Sequence, residues 1–360
     1  MRLGIALAAF IAILFFSGCI FFDSQERTAR VKLSEKVGDL QPTMQILKSR
    51  LEMAGFKEAK FQGDGNEFIL VTFRPKDENE TRQILSLLGK QGIFEVMLDG
   101  NVMFTGDGII SVDQGGGALQ LLKLGEGAYE WRLPFTLKTD AAKRFRDTVF
   151  HQCRLVSFET AEYDCALTYF YMDRPRNAVL IFSKERFEED KALVLAGANR
   201  LPMETDINEI FLNAGLPYFI ASNNALDKGQ KEALRGLSRQ TKTAIIQAEL
   251  PAELKKEIES MGFKLKEIKS SDFDKHMAEK IPWICTAINL ESVVRLNPEL
   301  TGNKPHIERL ADVKIIQDLV IIGSESSQEE AQRARDETKI LLSAGILPVP
   351  VESVTLEEPS

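Results

Sequence analysis

The chain has 360 residues, of which 44% are hydrophobic and 27% are charged, and its formal net charge is -8 at pH 7. This composition allows two or three domains with real cores, and the acidic balance argues against nucleic acid as a partner. The three histidines (His151, His276 and His306) have no ligand-like spacing to a cysteine or an acid, so neither a metal site nor a cofactor is expected.

The first segment predicts the compartment. Residues 3–22 carry no charge, follow Arg2, and are about long enough to cross a bilayer. The positive end stays in the cytoplasm, so we expect an extracytoplasmic body anchored at the cell membrane. A second interpretation is a lipoprotein signal, because small residues precede Cys19, which would be the site of cleavage and lipid attachment. Phe16 and the apolar residues beyond Cys19 argue against it, and both interpretations stay open.

The next residues follow a β-α-β-β-α-β order. The predicted elements are a strand at residues 27–33, a helix opened by Pro42, a hairpin turning at Asp64 and Gly65, a helix with a capping pattern at Asp77 and Glu80, and a last strand in residues 92–98. Two helices on one side of a four-stranded antiparallel sheet would make a ferredoxin-like unit.

The same order recurs in an opened form and predicts a second ferredoxin-like unit. Its first half consists of a strand (residues 129–137), a helix (139–149) and a hairpin (167–182) that turns at residues 173–177. The expected second helix comes only at residues 328–343, after a strand at 315–323, and it leads into a strand that contains Pro348 and Pro350. Proline cannot donate a ladder hydrogen bond, so this last strand must lie at a sheet edge or begin there.

An insertion separates the two halves of the second unit. It alternates short strands with helices, which predicts a parallel sheet with its own core. The predicted strands are residues 192–197, 217–222, 243–248 and 263–268, and the predicted helices are 206–214, 227–237 and 251–261. The expected fold class is therefore α+β. Residues 1–26 form the signal or anchor segment, 27–188 plus 307–360 a double ferredoxin-like base, and 189–306 an inserted α/β head lobe.

No residue pattern points to catalysis, so an enzyme is not expected. The glycine clusters at residues 63–65, 106–108 and 115–117 lack the spacing of a phosphate-binding loop and fit turns better. Cys153 and Cys165 bracket a polar stretch, and outside the cytoplasm they can form a disulfide, with two reduced cysteines as the alternative. Cys285 lies in an apolar context and is expected to be a buried thiol.

Three stretches resemble the SecD family of protein translocase subunits. Residues 43–73 are similar to the opening of the family's first extracytoplasmic domain, and residues 169–182 to its hairpin around an aspartate, here Asp173. The closing "ILLSAGILPVPV" resembles the family's signature at this position, with Leu342 and Ser343 where Arg-Ser is usual in bacteria. The resemblance covers nearly the whole body, and the size of the lobe looks more like archaeal members.

The resemblance implies a membrane-anchored accessory of Sec-dependent protein export that binds or guides translocating polypeptide on the extracytoplasmic side. Its implied partners are the Sec channel, a SecF-like or membrane-embedded SecD-like subunit, and the unfolded translocating polypeptide. The family's proton-conducting membrane helices and its Asp-Leu-Gly-Gly pattern are not found in this sequence, so we expect no proton coupling of its own. The alternative is a tethered binding module, or lipoprotein, unrelated to export. An extracytoplasmic enzyme has only the parallel sheet in its favour.

Overall fold

A computed structural model of the protein describes residues 25–113, 121–125, 128–157, 159–160, 162–198, 201–203, 205–270, 280–298, 301, 315–325 and 327–357. The chain divides into two compact units, one formed by residues 1–90 and 347–360 and the other by residues 91–346. Cys19 and nearly all of the predicted anchor lie outside the described residues. Within the described ranges, no helix combines the length and the apolar character needed to span a membrane.

Strands and helices alternate irregularly along the chain. The elements up to residue 149 are β1 (Arg27–Leu33), α1 (Gln41–Met53), β2 (Lys60–Asp64), β3 (Phe68–Phe73), α2 (Glu78–Gly89), β4 (Phe94–Leu98), β5 (Asn101–Thr105), β6 (Ile109–Val112), β7 (Leu121–Gly125), β8 (Ala128–Leu137) and α3 (Thr139–Val149). Those that follow are β9 (Cys153–Ser157), β10 (Glu162–Cys165), β11 (Leu167–Met172), β12 (Ala178–Ser183), α4 (Lys184–Leu195), α5 (Ile207–Ala214), β13 (Tyr218–Ala221), α6 (Lys228–Leu237), β14 (Thr243–Gln247), α7 (Ala252–Ser260), β15 (Lys264–Ile268), α8 (Trp283–Ala287), β16 (Leu290–Arg295), β17 (Asp318–Glu325), α9 (Gln328–Ala344) and β18 (Val351–Leu356).

The first unit is an antiparallel sheet of order β18-β1-β3-β2 packed against two helices. Alternate residues of β1 and β3 are buried, as period-two side-chain alternation requires, and they meet the apolar faces of α1 and α2. Asp77 caps α2 by accepting a hydrogen bond from the Glu80 N–H, as the sequence predicts. The prediction for the proline-containing strand is confirmed, because β18 is an edge strand that begins just after Pro350.

The fourth strand of this sheet is not the one predicted. Residues 94–98 form β4, which pairs with β5 and β11 in the other unit, and β18 takes the predicted place beside β1. All five residues of β4 are buried, which suits a central strand covered on both faces. The strand that follows two prolines suits an edge.

The described residues of the second unit form three four-stranded sheets and one two-stranded ladder. Their strand orders are β16-β11-β4-β5, β17-β8-β6 with β7 also on β8, β13-β12-β14-β15, and β10-β9. The third of these is entirely parallel, which agrees with the predicted parallel sheet. One face of it shares a core with β4, β11, α5 and α8, and a second core on β12 and β14 is completed by α6 and α7.

Several predicted elements of the lobe and of the second ferredoxin-like unit are confirmed, whereas others are wrong. The strands β13 to β15 and the helices α5 to α7 lie where the pattern predicts, and Asp206 and Asp227 cap two of the helices. The predicted hairpin over residues 167–182 is wrong, because β12 is a central strand of the parallel sheet and does not pair with β11. Residues 192–197 were predicted as a strand, but most of them continue α4, which Ser183 caps. Strand β16 lies inside the predicted lobe range yet pairs with β11.

Buried charges fix α9 on the sheet that contains β8 and β17. The Arg335 side chain is 4% exposed and donates to the Arg132 carbonyl and to Asp113 Oδ1 at 3.1 and 2.8 Å. Lys339 Nζ donates to Asp113 Oδ2 at 2.7 Å. A buried ion that is both paired and hydrogen-bonded defines one arrangement of its elements, so this cluster sets the position of the sheet that lines the groove described below.

Candidate functional site

A groove of about 520 Å³ lies in the second unit. Its walls are α8, β16, β17 and the start of β8. The lining is mixed, since Ile281, Leu290 and Val293 contribute apolar surface and Asn289 and Ser292 contribute polar groups. This volume lies in the range typical of small-molecule binding sites.

Two sheet edges face the groove. Strand β16 is the first strand of the sheet β16-β11-β4-β5, and β17 is the first strand of the sheet β17-β8-β6. Among the described residues, each therefore has a ladder partner on one side only. The Ser292 hydroxyl of β16 donates to the Ile322 carbonyl of β17 at 2.9 Å, which joins the two edges at one point. Backbone groups on a sheet edge can pair with another extended chain.

The indole of Trp131 packs over Gly323, its cross-strand neighbour. A Cβ at position 323 would lie 2.2 Å from two ring carbons and 2.5 Å from the indole nitrogen, so only glycine fits beneath the ring. Trp131 is 4% exposed, and its indole N–H has no hydrogen-bond acceptor among the described residues. A buried donor without an acceptor is rare in folded proteins, and both residues line the groove.

A buried carboxylate holds α8, the helix that forms one wall of the groove. Asp190 of α4 accepts from the backbone N–H groups of Trp283 and Ile284, both at 2.9 Å. Burial raises the pKa of Asp190 to about 6, although these two hydrogen bonds and the nearby Arg186 oppose the shift. The Trp283 indole N–H donates to the Ile268 carbonyl at 3.0 Å, so this second tryptophan is satisfied.

The loop between β11 and β12 carries a polar network. Asp173, which the sequence comparison singled out, accepts from the backbone N–H groups of Gln91 and Ile93 at 2.8 and 2.7 Å. Arg174 donates to Glu95 Oε2 at 3.0 Å and to the Ala214 carbonyl at 2.5 Å. All these contacts are internal to the second unit, so the network positions the loop and the adjoining elements.

The predicted site residues fall in different places. Cys153 and Cys165 are directly opposite each other on β9 and β10, and their sulfurs form a disulfide. Cys285 is buried as predicted, and burial raises the pKa of its thiol. His151 lies in the turn after α3, while Cys19, His276 and His306 lie outside the described residues. In the described part of the chain, no group of histidine, cysteine and acidic side chains is arranged to hold a metal ion.

Sequence reasoning missed the groove and its tryptophan. Trp131 lies in a strand whose existence was predicted, but the strand pattern alone does not show that its N–H lacks an acceptor. Gly323 was the available signal, because a glycine inside a strand pattern often marks a close approach of another group. The approaching group is the ring of Trp131.

Known proteins match part of this chain. No protein-family model matches it. The protein-export membrane protein SecD of Methanopyrus kandleri is 31% identical over 109 residues, which is 30% of this chain and 25% of that protein. SecD of Methanothermobacter thermautotrophicus is 28% identical over 102 residues, which is 28% of this chain and 22% of that protein. The matched segment thus spans about a quarter of each of these curated relatives.

Two solved structures of SecDF also align with the chain. The super-membrane-facing form has a TM-score of 0.40 and 11% identity, covering 97% of this chain and 34% of that one. A SecDF described as a membrane component that enhances protein export has a TM-score of 0.38 and 11% identity, covering 93% of this chain and 99% of that one. Scores this low do not establish a shared fold. The sequence matches confirm the resemblance predicted from the motifs: the chain is similar to the SecD family of protein-export membrane proteins.

Proposed function

We propose that this protein is an accessory of Sec-dependent protein export that binds or guides translocating polypeptide outside the cytoplasm. The observation that carries the proposal is the match to two archaeal proteins named as protein-export membrane protein SecD. The role is one of binding rather than catalysis. The implied partners are the Sec channel, a SecF-like or membrane-embedded SecD-like subunit, and the unfolded translocating chain.

The proposal includes an anchor and an architecture. Residues 3–22, either as a membrane helix or through lipid on Cys19, hold the body at the membrane surface. The first unit is a ferredoxin-like module, in which β18 supplies the strand beside β1 and gives the order β18-β1-β3-β2. The parallel sheet around β12 and β14 is the core of the proposed head lobe, and we propose that this lobe, predicted at residues 189–306, takes in β12 and leaves out β16.

A groove walled by two strands that, among the described residues, each have a ladder partner on one side only favours polypeptide as the bound species. An edge strand recognises the repeating amides of an extended chain, which every unfolded protein presents whatever its side chains. A guide for many exported proteins needs this tolerance of sequence. A folded protein would offer few such amides, because its backbone groups are already paired.

The test is site-specific photo-crosslinking with the full chain in intact membranes of its own host. A photo-reactive amino acid is placed at exposed positions of the second unit while an exported protein is arrested partway through the Sec channel. Adducts with the channel and with the arrested chain are expected, and they should disappear when the arrested protein lacks its export signal. Absence of both adducts, with efficient crosslinking to some other ligand, would support the unrelated binding module instead.

A further inference from the structure

We infer that Asn79 is a site of N-linked glycosylation, and that its oligosaccharide is attached before α2 folds. The observation that carries the inference is a glycosylation motif in which Asn79 is exposed and Thr81 is buried. The inference goes beyond the proposed function and rests on one part of it, the placement of the body outside the cytoplasm, because this modification belongs to secreted chains.

The sequence holds one complete acceptor motif for this modification. The motif is Asn-x-Ser/Thr with any residue except proline in the middle, and residues 79–81 read Asn-Glu-Thr. Every other asparagine of the chain is followed, two residues later, by something other than serine or threonine. The oligosaccharide is therefore expected at a single position.

The folded structure leaves Asn79 accessible. It is the second residue of α2, and residues 76–79 are all exposed. Among the described residues its side chain makes one hydrogen bond, in which Oδ1 accepts from Arg82 Nη2 at 2.5 Å, and this leaves Nδ2 available to carry a sugar. The side chains of Lys76 and Glu78 beside it are 85% and 67% exposed. A bulky hydrophilic group fits such a charged surface without displacing packed atoms.

Thr81 determines when the transfer can take place. It is 1% exposed, and its hydroxyl donates to the Asp77 carbonyl at 3.1 Å and accepts from Arg27 Nη1 at 3.2 Å. A transferase has to contact this residue to recognise the motif, and the folded chain covers it. The transfer must therefore come before α2 packs, while residues 79–81 are still accessible on all sides.

The proposed step is a group transfer from an oligosaccharide linked to a lipid phosphate. The Nδ2 of Asn79 forms a bond to the anomeric carbon of the first sugar, and the bond from that carbon to the phosphate oxygen of the lipid carrier breaks. The carrier phosphate leaves with the bonding electron pair, and Nδ2 gives up one proton to the solvent. No atom is oxidised or reduced, and this chain supplies only the acceptor.

The test is mass spectrometry of the full chain purified from membranes of its own host. After protease digestion, the peptide that contains Asn79 should carry the added mass of an oligosaccharide. Asn79→Gln and Thr81→Val should each lose the added mass, whereas Thr81→Ser, which keeps both the hydroxyl and the motif, should retain it. Asn79→Gln changes only an exposed side chain, so its result stands even if Thr81→Val does not fold.

A second measurement tests the order of transfer and folding. The full chain, made in cells that lack the sugar donor and shown by circular dichroism to be folded, is added to detergent-solubilised membranes of its host. A synthetic peptide of residues 74–84 is the matched control, because it presents the same motif without the fold. The peptide should gain the oligosaccharide, and the folded chain should stay unmodified.

The outcomes separate this inference from the proposed function. The digest of the native protein also shows whether Cys153 and Cys165 are linked, and a disulfide reports an oxidising compartment independently of any sugar. If the cysteines are linked and Asn79 carries nothing, the extracytoplasmic placement stands and the inference is overturned. If the cysteines are reduced and Asn79 carries nothing, the placement and the inference both fail. Equal modification of the folded chain and the peptide would overturn the inferred order.

Discussion

Glu95 and Arg174 form a buried ion pair, with the carboxylate 1% exposed, the arginine side chain 12% exposed, and a distance of 3.0 Å between Nε and Oε2. Removing the carboxylate leaves the guanidinium in a largely dry site. We expect Glu95→Ala to lower the free energy of unfolding by about 3–5 kcal/mol, measured by chemical denaturation.

Arg176 provides the matched control for this prediction. It contacts the same carboxylate at 2.8 Å, but its side chain is 55% exposed. Because solvent screens such an exposed ion pair, Arg176→Ala should lower the free energy of unfolding by no more than about 1 kcal/mol. Equal losses for the two variants would contradict the assignment of the stabilising contact to Arg174.

A second prediction concerns the close contact between Trp131 and Gly323. A methyl group at position 323 would overlap the indole ring, so the ring or the strand must shift. We expect Gly323→Ala to destabilise the second unit by about 1–3 kcal/mol. In Gly236→Ala, the same methyl group enters open space in α6, where alanine favours the helix, and the change should be neutral or stabilising by up to about 1 kcal/mol. Thermal unfolding of both variants, followed by circular dichroism, decides the point.

The third prediction concerns pH and Asp190. The pKa of this carboxyl in the folded protein is about 6, above its ordinary value of 3.8. Between these two values the folded state holds a proton that the unfolded state has released, so this group makes stability fall as pH rises. The contribution of Asp190 to the free energy of unfolding is complete below about pH 4 and is lost as the pH rises through 6.

Asp190→Asn removes this titration with little change of shape. The stability difference between the variant and the native chain should therefore shift in favour of the variant as pH rises from 4 to 6, by an amount on the order of a few kcal/mol. Denaturant unfolding at several pH values measures it. A difference that is constant over this range would show that Asp190 does not titrate there.

The fourth prediction concerns the disulfide. Cys153 and Cys165 join the two strands of a ladder that has no third strand among the described residues. An isolated two-stranded hairpin is only marginally stable in water. We therefore expect reduction of the disulfide, or the double change Cys153→Ala with Cys165→Ala, to lower the free energy of unfolding by about 3 kcal/mol. Hydrogen exchange should show the loss in β9 and β10 first.

Peptide mapping checks the bond itself. Without reductant, the fragments that contain Cys153 and Cys165 should be recovered as one linked species. Recovering them separately, both alkylated, would favour the two reduced cysteines that the sequence left open.

Local signals in the sequence predicted most individual elements. The caps at Asp77, Asp206 and Asp227, the hairpin turn at Gly65 and the prolines before β18 act within a few residues of the structure they specify. Each is therefore readable without knowledge of the rest of the chain.

Pairing between distant segments was not predictable in the same way. The sheet of the first unit has a fourth strand, and two segments of the chain have the local pattern for it. Both β4 and β18 follow a helix and a glycine. Only the packing on both faces of β4 decides between them. The candidate site was hidden for a related reason. Whether the N–H of Trp131 finds an acceptor among the described residues depends on how distant segments of the chain pack around it.

The pairing of Arg30 with Thr355 in β1 and β18 sets an order of events during synthesis. During synthesis, residues 91–346 of the second unit are all made before β18, and β1 waits with one edge open until β18 follows. Closing so long a loop costs little more free energy than closing a short one, but forming such a distant contact slows folding. Throughout that interval, the nascent chain exposes an unpaired strand on which other chains can aggregate, and the arrival of the last strand ends that exposure.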